Sequence, residues 1–77
     1  MLQEILTKYG YVPLTAKESK MSRGATHQRS DMRDEAFALT LIVDGDSWIH
    51  HDHRGYESGR GNGADSLDRE LALFLDE

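Results

Sequence analysis

The sequence predicts one small α+β domain: an N-terminal helix, an antiparallel β-hairpin or sheet, and a C-terminal helix packed on one face of that sheet. Three observations predict it. Apolar residues recur at helical spacing near both ends of the chain, the middle alternates with a two-residue period, and 77 residues suffice for one core but not two.

Leu2, Ile5, Leu6 and Tyr9 share one helical face, and Gly10 follows where a left-handed C-cap residue belongs. Pro13 biases Val12 toward extended geometry, so residues 11–14 are expected to form an extended segment or a brief edge strand. Residues 15–34 hold almost nothing apolar beyond Met21 and Met32 and are predicted to be a mobile loop, with a short strand around Ala25 to Gln28 as the alternative. In Ala36 to Val43 the odd positions place Phe37, Leu39, Leu41 and Val43 on one face, which defines a core strand. Asp44-Gly45-Asp46-Ser47 supplies a turn, and Trp48-Ile49-His50-His51 forms the returning strand of a hairpin. Gly55, Gly59, Gly61 and Gly63 are too closely spaced for a regular element, so residues 55–63 are read as a glycine-rich loop. Leu67, Leu71 and Phe74, supported by Ala64 and Leu75, predict a helix over 64–75 with Asn62 or Asp65 as its N-cap.

The net charge of −5 is unevenly distributed. Residues 17–33 carry Lys17, Lys20, Arg23, Arg29 and Arg33 against two acids, whereas residues 34–77 carry eleven acids against Arg54, Arg60 and Arg69. An acidic two-thirds is repelled by a nucleic-acid backbone and attracted to the basic grooves of proteins that bind one, so no direct duplex binding is expected. The chain has no cysteine, which excludes disulfides, thiolate metal sites and a cysteine nucleophile and suits a reducing compartment. Its longest apolar run is too short to span a membrane, and the expected location is cytoplasmic. A homodimer or a permanent partner would share the burial that so short a chain achieves alone.

His50-His51-Asp52-His53 is the run that most invites a metal. Alternation on a strand lets His51 and His53 project together while His50 and Asp52 point the other way. Two ligands fall short of the four, or three plus water, that zinc takes, and His27 is the only other histidine. No metal and no cofactor are expected, with His51 and His53 the candidates should one bind. His51-Asp52-His53 through Gly59-Arg60-Gly61 resembles the histidine and glycine-arginine signature of the HNH-type nucleases. That resemblance implies a metal-dependent nuclease built on the His50 to His53 cluster. The chain departs from the pattern in its short glycine-to-arginine spacing, its lack of cysteine pairs and the position of its histidines after the hairpin turn.

The run Gly55 to Gly63 ahead of a helix resembles a phosphate-binding loop in placement, but the Lys-Ser or Lys-Thr pair is missing and acids follow from Asp65 onward. Ser47 and Ser66 are explained by turn and cap positions, and no serine is assigned a base. Asp44 and Asp46 are read as hairpin chemistry rather than calcium ligands. What remains points to binding. Arg54, Tyr56 and Arg60 are residue types that anchor interfaces, and Glu57, Asp65 and Asp68 offer a negatively charged docking surface. The expected function is that of a small acidic non-enzymatic binding protein. By analogy it is a phage or mobile-element inhibitor, anti-CRISPR-like, that occupies a basic nucleic-acid-binding surface of a larger complex. The alternatives are the metal-dependent or degenerate HNH-like nuclease and a small nucleic-acid-binding regulator using Lys17 to Arg33.

Overall fold

In the computed structural model, which describes residues 2–29, 38–52 and 54–75, the element order is α1 (Leu2–Lys8), β1 (Val12–Pro13), α2 (Ala16–Met21), β2 (His27–Arg29), β3 (Leu39–Asp44), β4 (Ser47–His51), β5 (Glu57–Asn62) and α3 (Ala64–Phe74). The strands form one five-stranded antiparallel sheet in the order β1-β2-β3-β4-β5. The fold is α+β, as the sequence predicts. Among the described residues no helix is long and apolar enough to cross a membrane.

Strand alternation explains the core. Leu39 and Leu41 on β3, with Trp48 and His50 on β4, face the side covered by Leu2 and Leu6 of α1 and Leu67 and Leu71 of α3. Each of these leucines contributes about 1.5–3 kcal/mol of burial to a marginal total. α1 ends as its apolar stripe requires. Gly10 has φ +81, its N–H bonds Thr7 O at 3.1 Å, and the N–H of Tyr11 bonds Leu6 O at 2.9 Å, a Schellman closure that swings Tyr11 into the core. Phe37, expected beside Leu39, lies outside the described residues.

Two expected loops are different. Within 15–34, α2 begins in a capping box: Thr15 Oγ1 accepts from Glu18 N, and Glu18 Oε1 accepts from Thr15 N. β2 follows at His27–Arg29, two residues beyond the start of the alternative strand and overlapping it; residues 30–34 lie outside the described set. Thr26 extends that pairing, its N–H and hydroxyl both donating to Leu41 O while Val43 N donates to its Oγ1. The loop expected over 55–63 is largely strand, because β5 pairs Gly61 with Trp48 and Gly59 with His50. Glycine is used there for room. A Cβ on Gly61 would meet Trp48 Cζ2 at 2.7 Å and Ser66 Oγ at 3.1 Å, and a Cβ on Gly59 would meet the Glu70 carboxylate at 2.7 Å. Nor does Asn62 or Asp65 cap α3. Gly63 is the N-cap without a side-chain bond, and Ser66 Oγ instead donates back to Asn62 O and Gly63 O, tying the first turn of α3 to the end of β5.

The two glycines make a test. Gly61→Ala drives a methyl into a buried indole and is expected to cost about 1–3 kcal/mol. Gly59→Ala meets only the end of a flexible glutamate and is expected to cost clearly less, so denaturant unfolding of the pair should rank Gly61→Ala as the more damaging.

Candidate functional site

With α1 and α3 on one face, the opposite face of the sheet carries a pocket. Its floor is a row set by strand register: Gln28 on β2 pairs with Thr40 on β3, which pairs with His51 on β4. Ile42 and Ala38 flank that row, and Met21, Ser22, Arg23 and Ala25 rise from the α2–β2 connection as one wall. Asp52 and Gly55 form the other. The cavity holds about 120 Å³. Arg23 bridges the walls, its Nη1 donating to Gly55 O at 3.1 Å. Gly55, at φ +84, turns the chain close enough for that bond.

The anchor residues cluster beside this pocket. Asp52 Oδ1 accepts from the backbone N–H of Arg54 at 2.9 Å and of Tyr56 at 3.1 Å, and its Oδ2 accepts from Arg54 Nη2 at 3.3 Å. Burial alone would push the Asp52 carboxyl up, but these bonds outweigh it and hold the group below the ordinary aspartate range. The turn presents Tyr56, 65% exposed, with the Arg54 guanidinium 5.4 Å from its ring centre. Met21, 80% exposed, stands on the other wall. Arg60 is paired with Glu57 through Nε to Oε2 at 2.8 Å and a second bond from Nη2.

The three acids expected to form one docking surface are separated. Glu57 is held by Arg60 on β5. Asp68 faces α1, where Tyr9 OH donates to its Oδ1 at 2.5 Å and Lys8 Nζ at 3.3 Å. Asp65 is exposed at the start of α3. The fold instead gathers Asp65 with Asp44 and Asp46, all three exposed, because Gly63 N donates to Asp46 O at 2.8 Å and ties the β3–β4 turn to the α3 entry.

The histidine run is divided by the strand. His50 points inward and is fully buried, while His51 points outward into the pocket row; His53 lies outside the described residues. Among the described residues no group of three or more His, Asp and Glu is placed to hold a metal ion. His50 Nε2 lies 2.7 Å from Tyr11 OH and its Nδ1 lies 2.6 Å from Ser58 Oγ, with Glu70 Oε2 3.9 Å from Nδ1. Ser58 therefore has the imidazole neighbour that the sequence assigns to no serine. With both nitrogens engaged and its ring packed edge-on against Tyr11 and Phe74, His50 acts as an internal tie. The signal was period two, which puts His50 on the same face as Trp48.

The Asp68 cluster has a pH signature. Hydrogen bonds from Tyr9 and Lys8 hold the Asp68 carboxyl below its usual range, and the same bonds raise Tyr9 and Lys8. A carboxyl depressed on folding stabilises above its unfolded pKa and loses that contribution as pH falls through the folded one. Asp68→Asn should therefore lower the melting temperature at neutral pH, with the difference from wild type vanishing in acid below the folded pKa; melts across that range check it.

Compared with known proteins, the chain matches no family model, no curated protein and no solved structure.

Proposed function

We propose that this chain is a non-enzymatic binding protein that docks on a larger protein presenting a basic surface. One observation supports the reading above the others: Asp44, Asp46 and Asp65, far apart in sequence, stand exposed together at one end of the sheet. Glu57 and Asp68 are committed to internal pairs, so they contribute less to an outward field. Charge at such an edge speeds encounter with an oppositely charged partner and screens in salt. The narrower form of the proposal is an inhibitor that covers a nucleic-acid-binding groove, in the manner of anti-CRISPR proteins; the net charge of −5 supports it.

The test starts from a partner captured from bacterial lysate. Asp44→Asn, Asp46→Asn and Asp65→Asn together keep side-chain shape and remove three charges. Association should slow by about tenfold at low salt while dissociation and melting temperature stay near wild type. An on-rate insensitive both to the triple variant and to salt would overturn the reading.

A further inference from the structure

Beyond that reading, and independent of the acidic edge, we propose that Ser58 is a covalent acyl acceptor with His50 as the base that activates it. The geometry starts from a bulge. β5 pairs Gly59 with His50 and Glu57 with His51, which leaves Ser58 as the extra residue of the ladder. A bulge re-aims a side chain, and this one turns the Ser58 hydroxyl to the His50 ring while Ser58 itself stays exposed on the last strand of the sheet.

Of the three contacts the hydroxyl makes, the imidazole is the shortest. Ser58 Oγ lies 2.6 Å from His50 Nδ1, against 3.3 Å from His50 O and 3.4 Å from Glu70 Oε2. With its proton on Nε2, donating to Tyr11 OH at 2.7 Å, the ring keeps the Nδ1 lone pair for Ser58. A hydroxyl within hydrogen-bond reach of a base that a third group orients is the arrangement that makes a nucleophile. Glu70 Oε2, 3.9 Å from Nδ1, faces the positive charge the ring gains in the step and offsets the cost of ionising a fully buried group.

The co-reactant is an activated ester or thioester. Ser58 Oγ attacks its carbonyl carbon; the Oγ–C bond forms, and the bond from that carbon to the leaving oxygen or sulfur breaks. The hydroxyl proton passes to Nδ1 and from there to the departing group. A neutral acyl carbon suits the site better than a phosphoryl group, because the Glu70 carboxylate 3.4 Å from Oγ repels an anion. The ester then stays. His50 is fully buried, so the acylated Oγ blocks the approach to Nδ1, and water has no route to the base that activated the serine. Ser58 is modified once and does not turn over, which is compatible with a binding protein.

The experiment treats the full chain with para-nitrophenyl acetate at neutral pH and reads each serine by peptide mass spectrometry. The reference is Ser47, exposed at the start of β4 and bonded to no imidazole among the described residues. Ser58 should gain its acetyl ester at least about a hundredfold faster, since a positioned base contributes ~10²–10⁴-fold. In denaturant the two rates should converge, because only the fold brings ring and hydroxyl together. His50→Gln keeps an amide between Tyr11 and Ser58 but no base, and in the folded variant the Ser58 rate should fall to that of Ser47. Para-nitrophenyl phosphate should leave Ser58 unmodified. Ser58 no faster than Ser47 in the wild-type chain overturns the site whether or not the variant folds, as does an advantage that persists in denaturant or in folded His50→Gln; phosphorylation outpacing acetylation overturns the acyl assignment. Asp44→Asn, Asp46→Asn and Asp65→Asn should leave the Ser58 rate unchanged, which separates failure of this site from failure of the acidic edge.

Discussion

The arrangement rests on one buried imidazole. His50 is fully inaccessible, so both ring nitrogens must be bonded inside the protein or cost about 1–3 kcal/mol each. Tyr11 comes from the turn after α1 and Ser58 from β5, so satisfying one ring fixes two segments against β4, and Glu70 of α3 stands 3.9 Å from the same Nδ1. Among the described residues no buried side-chain nitrogen or oxygen lacks a partner. The demand runs in both directions. Tyr11 reaches the ring only because α1 stops at Gly10, and Glu70 approaches only because Gly59 has no side chain.

That dependence explains which parts of the fold the sequence makes legible. Leu39-x-Leu41 and Leu67-x-x-x-Leu71 state their period within a few residues, so the hairpin and α3 can be read locally. β5 cannot, because Glu57-Ser-Gly-Arg-Gly-Asn62 has the composition of a loop. Its glycines make sense only beside the rings of Trp48 and His50 across the ladder, which is non-local information. α2 stands between these cases. Thr15 and Glu18 spell a capping box at the right spacing, but no apolar stripe follows it, and the helix has no buried residue among its six. A cap signal without a core face was outweighed by the polarity around it.

The candidate site follows the same division. Arg54 and Tyr56 were readable as anchors from residue type, and the turn made by Asp52 does present them. The row Gln28, Thr40 and His51 was invisible, since its members lie far apart in sequence and are joined only by register. Charge behaves likewise. Segment counts showed a basic stretch ahead of an acidic one, but only folding decides that Asp68 and Glu57 pair with Lys8 and Arg60 on the surface while Asp44, Asp46 and Asp65 lie at one end of the sheet.

Placing both terminal helices on one face settles where interaction chemistry is able to accumulate. The covered face is committed to leucine, tryptophan and the histidine tie, and substitutions there unfold the domain before they inform on binding. Among the described residues the opposite face is flanked by the end of α2, the α2–β2 connection and the turn at Asp52 and Gly55 rather than covered by a long helix, so its side chains answer to fewer packing constraints. Register then does what a longer protein does with loops: it aligns three polar side chains on rigid strands, with Arg23 Nη1 bonded to Gly55 O beside them. A sheet only five strands wide thus separates its scaffold from its accessible chemistry by the two-residue period of the strand itself.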